Sequence, residues 1–457
     1  MAGIGFTLRR MLQEEGYSGP VRALTYAAII AAGPWITSSG ALAILSNFSA
    51  LPQDGHDFKV FLSIISYVYA FSLVGVGVMQ MGASRYLADR LYAGEWQYFA
   101  PAFAQLLAPL MLVQGLVGLG FMLLTHLPTP VVVVAVMLYL AVNGTWVAMI
   151  FLTAAKDFRT IVIAFVLGFV LSVCGGIYGG AHWGLPGQLG GFTAGYVLTF
   201  FVLVARIKWE FGLPIRLADG LGAELRRFWP LAVTGWSYNM AIWIDKIMFW
   251  YHPEAGEQVA GPLHVAPIYD NAMFLAYVTI VPALGMFLLR VETDFYDAYR
   301  AYFSAISAHD GLVQLRAAKR EMAITLVRNL ALLLKVQGPV TLGAVVFAPE
   351  LIGRLHLTWL AVFVFRFGAI GSCLHVAHLM ILILLLYLDF RLEAMFLGLV
   401  FLTSNWFFTL LSFQGGLPFY GLGYAFASAF TLGVGLILLW RALRDLEYHI
   451  FMRQPLT

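Results

Sequence analysis

The sequence predicts an all-α polytopic membrane protein with twelve transmembrane helices in two halves and both termini in the cytoplasm. Three observations predict it. The first is composition. Of 457 residues, 61% are hydrophobic and only 11% are charged, where a soluble chain carries about twice that charge. The second is a series of apolar runs of ~20 residues, the length needed to cross ~30 Å of hydrocarbon. Twelve such runs use about half the chain or more and leave no room for a soluble domain of ordinary size. The third is the placing of the cations. With the N-terminus in the cytoplasm and sides alternating, all but five of the 27 Lys and Arg fall in or beside cytoplasmic segments. Lys59 and Arg354 lie outside, and Lys246, Lys335 and Arg366 fall within spans. Such a bias fixes the number of crossings and their orientation together.

The elements follow in order. Residues 1–18 read as a short amphipathic helix on the cytoplasmic face, with Ile4, Phe6, Leu8, Met11 and Leu12 toward lipid or protein. Thr7-Leu8-Arg9-Arg10 superficially resembles a twin-Arg export signal. A full-length apolar stretch follows it and eleven more come after, so no cleaved signal is expected. Met1-Ala2-Gly3 is not a myristoylation start, which needs Gly directly after Met. Span 1 covers 22–47 and holds Ala32-Gly33-Pro34-Trp35. Spans 2 to 6 cover 60–83, 101–125, 131–153, 160–182 and 186–206, with very short outer links at 126–130 and 183–185. The cytoplasmic linker 207–227 carries Lys208, Arg216, Arg226 and Arg227 and divides six spans from six.

Span 7 covers 228–250 and holds Thr234-Gly235-Trp236. Arg226 and Arg227 precede it as Arg9 and Arg10 precede Gly33-Pro34-Trp35, a weak echo of the duplication common in secondary transporters. Span 8 covers 268–290 and leads into the largest polar segment, 291–325. There Val291, Phe295, Tyr299, Tyr302, Phe303 and Ile306 recur at helical spacing and predict an amphipathic helix. Asp310-Gly311 breaks it, and a second, basic helix follows with Arg316, Lys319 and Arg320. Spans 9 to 12 cover 326–348, 360–388, 392–414 and 418–441. The expected organisation is therefore 1–206, a linker 207–227, and 228–457.

Several function classes are excluded or unsupported. No G-x-x-x-x-G-K-[ST] loop occurs, and no Gly-Lys pair occurs anywhere, so a P-loop nucleotide site is absent. Neither Asp-x-Asp nor Gln-x-x-Arg-Trp is present to support a processive sugar polymerase, and His-Glu-x-x-His is missing. Cys174 and Cys373 sit inside spans and resemble neither a disulfide nor half of a metal pair. His375 and His378 share a helix face. Without a carboxylate they are too few for a metal site, and they read as satisfied interhelical polar residues. No cofactor is expected. The net charge of +3 reflects the cytoplasmic cations and says nothing of nucleic acid.

The polar residues inside spans carry the candidate site. Lys335 sits near the middle of span 9, where a charge costs ~3 kcal/mol on insertion scales. It is expected to line a wet pathway, or else to be held by carbonyls near the Gly338-Pro339 kink, or to be neutral. Gln337 points elsewhere. In span 7, Trp236, Asn239, Trp243, Lys246 and Trp250 fall on one helix face. Aromatic faces stack on sugar rings, and Asn and Lys bond hydroxyls. The alternative is an interfacial belt of Trp243, Lys246 and Trp250, with Asp245 as the ion-pair neighbour of Lys246.

Arg366 is either two turns deep in span 10, in an outer cavity, or a boundary residue. Gly33-Pro34 and Gly338-Pro339 are candidate hinges near mid-span, while Pro109 and Pro282 read as packing kinks. The outer segments carry Asp54, Asp57, Glu254, Glu257, Asp270 and Glu350 against Lys59 and Arg354, so the exit face is acidic. Arg226, Arg227, Glu292, Asp294, Arg316, Lys319 and Arg320 are candidates for cytoplasmic gating or docking.

Three stretches carry a family resemblance: the opening Met-Ala-Gly-Ile-Gly-Phe-Thr-Leu-Arg-Arg-Met-Leu, the Gly33-Pro34-Trp35 of span 1, and Val-Glu-Thr-Asp-Phe-Tyr-Asp-Ala-Tyr-Arg-Ala-Tyr-Phe from Val291. With the full length and twelve spans, the chain resembles the PelG family, inner-membrane transporters of the bacterial Pel exopolysaccharide system. The resemblance implies the fold of the multidrug/oligosaccharidyl-lipid/polysaccharide superfamily, two six-helix bundles around a central cavity. It implies movement of a growing N-acetylgalactosamine-rich polymer from the cytoplasm to the periplasm. The implied partners are a cytoplasmic glycosyltransferase (PelF-like), a cyclic-di-GMP receptor (PelD-like) and a repeat-containing membrane protein (PelE-like). It supplies no catalytic residues.

Two other classes compete. A major-facilitator-type secondary transporter also has six spans plus six, and Leu87-Ala88-Asp89-Arg90 partly resembles that family's loop signature. Residue 85 is Arg where that signature has Gly, the trailing basic pair is missing, and no acid sits at mid-span for ion coupling. A scaffold would need no deep Lys and no kinked helices, and an integral-membrane enzyme would cluster His or acids at one membrane face.

Overall fold

In lipid every backbone N–H and C=O must be bonded within the protein, which restricts an apolar chain of this kind to helices or closed barrels. The computed structural model describes residues 36–49, 51–52, 55–213, 217–290 and 294–453. The expected helix over 1–18, Gly33, Pro34, Arg216 and Glu292 lie outside the described residues. Nine described helices are long and apolar enough to cross a membrane. The chain is a polytopic, all-helical membrane protein with one small β-hairpin. By contacts it divides into two units, Gly33–Pro267 and the remainder, of which 268–453 is described.

The first unit contains α1 (Ile36–Phe48), α2 (His56–Tyr92), α3 (Phe99–Leu123), α4 (Thr129–Ala154), α5 (Phe158–Phe211), α6 (Leu221–Arg227) and α7 (Trp229–Trp250). α3 shows how these helices meet lipid. Leu112, Leu116 and Leu123 are 66%, 64% and 60% exposed on it. In water that face would be an aggregation patch; in hydrocarbon it is the ordinary outer surface.

α5 is a hairpin of two helices, spans 5 and 6 of the sequence reading. Its turn is a single residue, Gly184, at φ 60 and ψ −142, a conformation that side chains with a Cβ avoid. Pro186 then starts the return arm. The arms touch backbone to backbone. A Cβ on Gly179 would lie 2.2 Å from the Gly187 carbonyl oxygen, and one on Gly191 would lie 2.0 Å from the Gly175 carbonyl carbon.

A second close crossing joins α2 to α7. A Cβ on Gly235 would lie 2.2 Å from the Gly77 carbonyl oxygen, and one turn on Asn239 donates to the Leu73 carbonyl at 3.0 Å. Span 7 therefore belongs by packing to the first unit. The division by contacts lies one helix beyond the linker 207–227.

The link after α7 forms β1 (Glu257–Ala260) and β2 (Leu263–Val265), an antiparallel pair with Glu257 opposite Val265. The sequence reading gave this stretch no strand. The hairpin is seated by Leu263, which is fully buried. Tyr67 holds it further, donating to the Pro262 carbonyl at 3.3 Å and accepting from the His264 N–H at 3.2 Å.

The second unit contains α8 (Pro267–Val278), α9 (Val281–Arg290), α10 (Tyr296–Ser307), α11 (Leu312–Val346), α12 (Ala348–Arg354), α13 (Leu360–Tyr387), α14 (Arg391–Gln414), α15 (Leu422–Arg444) and α16 (Leu446–Arg453). Two features differ from the sequence reading. Span 8 is broken at Thr279-Ile280, just before Pro282. The Thr279 carbonyl at the break accepts from Gln337 Nε2 of α11 at 3.0 Å, which supplies the partner a broken ladder needs in lipid. The basic helix and span 9 are one continuous helix of 35 residues, α11, which runs through Pro339. α13 is the buried centre of this unit, packed on α15, α11 and α14.

Candidate functional site

The α7 stripe is split by burial. Trp236 is 39% exposed, while Lys246 and Trp250 are buried. Trp250 stacks on Tyr67 of α2, with centroids 4.5 Å apart and planes at 15°. Asn239 is engaged by its bond to the Leu73 carbonyl. Lys246 Nζ donates to the Ile242 carbonyl at 2.8 Å, lies 3.3 Å from Asp245 Oδ1, and sits 5.7 Å from the centre of the Trp243 ring. An ion pair removed from water is stabilised only when its remaining hydrogen-bonding capacity is filled, and the carbonyl and aromatic contacts supply part of that. The Trp243 indole N–H is buried with no hydrogen-bond partner among the described residues. This end of α7 is a packed polar core, with Trp236 at its accessible end.

The α11 candidate has the opposite character. Gln337 is buried and bonded to Thr279 and Thr341. Lys335, on the other face, is exposed. Arg328 is exposed seven residues earlier on the same face, about 10 Å away at the rise of an α-helix. A cation at hydrocarbon depth does not face lipid; it faces protein, water or a polar ligand. Gly338 has open space where a Cβ would stand, and Pro339 is exposed beside it. Arg366 of α13 donates to the Val345 carbonyl at 3.0 Å, tying it to the last turn of α11.

The cytoplasmic candidates also separate. Arg226, Arg227, Arg316 and Arg320 are exposed, and Arg227 lies 5.6 Å over the Phe228 ring. Lys319 is bound to the Glu447 carboxylate and the Arg444 carbonyl, which joins α11 to α16. Asp294 is half-buried at the start of α10. Tyr302 is fully buried, and its hydroxyl has no hydrogen-bond partner among the described residues. Burial, and then the nearby Glu447, push that hydroxyl up to about 12.

Sequence periodicity missed two groups. Arg90, near the end of α2, bonds Glu95 at 2.5 Å and the Asp219 carbonyl at 2.8 Å, and lies over the Tyr86 and Tyr98 rings. It pins the end of the linker to α2. Asp157 caps α5, accepting from the Thr160 N–H at 3.1 Å and Arg206 Nε at 2.5 Å. Desolvation alone would raise its carboxyl, but Arg206 and Thr160 hold it below its usual range. The His375–His378 pair, named from the sequence, corrects an expectation. His375 Nδ1 is 2.7 Å from the Tyr424 hydroxyl, as an interhelical polar residue should be. His378 is 1% exposed, and neither ring nitrogen has a hydrogen-bond partner among the described residues. Among the described residues no group of three or more His, Cys, Asp or Glu is placed to hold a metal.

The profile of the PelG family (EPS-E), described by exopolysaccharide export, matches residues 1–451. No curated protein matches the chain by sequence. A MATE transporter in its bent conformation superposes with a TM-score of 0.64 at 15% identity, covering 97% of this chain and 98% of its own. A MOP-superfamily transporter from Pyrococcus furiosus gives 0.62 at 14% identity, covering 93% and 95%. An inward-facing multidrug resistance MATE transporter gives 0.56 at 14% identity, covering 98% and 99%. At these identities the likeness is one of fold, the fold of MOP-superfamily transporters.

Proposed function

The chain belongs to the PelG exopolysaccharide exporter family, and from that premise we propose that it moves a nascent exopolysaccharide across the bacterial inner membrane. The observation that carries the reading is the family match over nearly the whole chain, residues 1–451. The polymer is the N-acetylgalactosamine-rich Pel chain, handed over by a cytoplasmic glycosyltransferase of the PelF kind. A PelD-like cyclic-di-GMP receptor and a PelE-like membrane protein complete the complex. The chain crosses the membrane twelve times with both termini in the cytoplasm. It performs no bond chemistry of its own.

Lys335 and Arg328 support a polar path along α11, because both are exposed on one face of a helix that crosses the membrane. Arg366, in the same unit, extends the candidate path, and Gly338-Pro339 is its hinge; Trp236 is a separate pathway candidate within the first unit. Lys246 and Asn239 act from behind, by holding α7. The linker 207–227 and the segment 291–325 are docking surfaces for the synthase. Elongation of the polymer supplies a driving force, since no nucleotide loop is present.

The test is reconstitution in proteoliposomes with and without the glycosyltransferase, followed by assay of lumenal polymer. Polymer should accumulate inside only when both proteins are present. Lys335→Ala should lower export several-fold with protein level unchanged. Full export by that variant removes α11 from the path, and no lumenal polymer with both wild-type proteins overturns the reading.

A further inference from the structure

A polar file runs through the buried centre of the second unit. On α13, Ser372, His375 and His378 are all buried and fall on one helix face. Tyr424 of α15 reaches His375 with its hydroxyl, 2.7 Å from Nδ1. It comes this close because Gly371 has no side chain: a Cβ there would lie 2.5 Å from the Tyr424 ring. The two imidazoles stack, with centroids 4.7 Å apart and planes at 24°. Phe401 of α14 packs on both, at 5.1 Å and 4.5 Å. Tyr277 of α8 closes the cluster edge-on to His375 at 6.3 Å and to Tyr424 at 5.7 Å.

Two members of this file have hydrogen-bonding atoms without partners among the described residues: both nitrogens of His378, and Ser372 Oγ. Neutral imidazole carries one donor and one acceptor, and leaving both unmade in a buried site is destabilising. A purely structural role would be better served by Phe or Leu.

The charged groups on the elements packed around α13 lie as follows. α15 presents Tyr424 here, and its cations Arg441 and Arg444 belong to its last turn. α14 presents Phe401, and its Arg391 and Glu393 belong to its first turn. α8 presents Tyr277, and its Asp270 belongs to its first turn; the cation of α9, Arg290, is its terminal residue. α11 buries Gln337 and Thr341 and turns Arg328 and Lys335 to its exposed face. α12 carries Glu350 and Arg354. On α13 itself Cys373 is half-buried, and Arg366 bonds Val345.

We propose that the His375–His378–Tyr424 cluster binds a single exchangeable proton within the second unit, and that its occupancy sets the packing of α13 on α14 and α15. Stacked rings do not converge their lone pairs on one point, which argues against a metal ion as the ligand. A proton has no such requirement. It comes from water, is held on one imidazole nitrogen, and returns to water. Aromatic faces and the Tyr424 oxygen stabilise the cation. A second proton is disfavoured because two imidazolium rings in contact repel. The site stands without any assumption about cargo. That a proton gradient assists export through it rests on the export reading.

The experiment is histidine-selective 15N NMR of the full chain in lipid nanodiscs across about pH 4 to 8, on wild type, His378→Phe, His375→Gln and Tyr424→Phe. The wild type should show one coupled titration step shared by two imidazoles. His378→Phe should fold, keep the ring packing and leave His375 titrating alone with a shifted midpoint. Tyr424→Phe, which loses the bond to His375 Nδ1, should shift the midpoint of the step, and His375→Gln should remove the coupling. Two rings fixed in one tautomer throughout, or an unchanged step in His378→Phe, overturns the proposal. Export by proteoliposomes at two lumenal pH values tests the consequence separately. Export that ignores pH in wild type removes the coupling, and absence of export in wild type counts against the transporter reading alone.

Discussion

At the scale of single residues, the structure distinguishes polar groups that hold the fold from those left free to act. Asp157 belongs to the first kind. Its carboxylate caps α5 and binds Arg206, and those bonds hold it below the usual range against the pull of desolvation. Because the folded value is depressed, its stabilisation is present above the unfolded value of about 3.9 and is lost as pH falls through the folded value. Asp157→Ala should cost about 1 to 2 kcal/mol in detergent unfolding at neutral pH. Asp157→Asn, which keeps the cap and loses the charge, should cost about half a kcal/mol, and its gap from wild type should close on acidification. A gap that widens in acid contradicts the assignment. Tyr302 is the converse case. Its hydroxyl is buried without a partner among the described residues, a loss of about 1 to 3 kcal/mol, while its ring fills the base of α10. Tyr302→Phe should therefore melt at or above wild type, and a lower melting temperature would reveal a partner for the hydroxyl.

At the scale of elements, glycine decides where helices touch and where one of them bends. The α5 hairpin depends on Gly179 against Gly187 and Gly175 against Gly191. Gly179→Val meets backbone, which cannot retreat as a side chain can, so it should cost about 3 kcal/mol or more and abolish stable expression. Gly190→Ala, in the same arm with nothing within reach of the new Cβ, should gain up to about 1 kcal/mol. Equal behaviour of the two variants would mean the arms are not in contact. Gly338 is likewise open. Gly338→Ala should raise stability by about 0.5 to 1 kcal/mol while reducing export if α11 bends at Gly338-Pro339 in the transport cycle. A stabilised variant with full export removes the hinge.

At the scale of the whole chain, what periodicity and hydropathy encode was legible, and what long-range contacts encode was not. The short link 183–185 marked the α5 turn because Gly184 and Pro186 are local signals. The helical, membrane-spanning character of the chain and the amphipathic α10 followed from hydropathy and spacing alone. The continuity of α11 was missed because Gly311 starts it and no breaker separates its basic turn from its apolar ones. The α7 stripe was correct as spacing, yet Trp250 is stacked on Tyr67 and Asn239 is engaged by the Leu73 carbonyl, both more than 160 residues away. The orphaned His378 has no sequence signal, since only the neighbours it lacks make it unusual.

The cation map shows the same division. Its cytoplasmic residues were read from sequence as one docking surface, but only some are free. Lys319 is spent on Glu447, whereas Arg226 and Arg227 project from α6, a helix held in place by Arg90 through the linker. Reversing the two exposed charges, Arg226→Glu with Arg227→Glu, should leave stability within about 0.5 kcal/mol of wild type. It should also weaken co-purification with the cytoplasmic glycosyltransferase by about tenfold at low salt. The difference from wild type should shrink as salt rises, because exposed charges are screened beyond about 10 Å at 0.1 M. Lys319→Glu should do the reverse, lowering stability first and binding only as the fold loosens. If instead Lys319→Glu abolishes binding in a fully folded protein while the double reversal does nothing, docking runs through α11 and α16 and not through the linker.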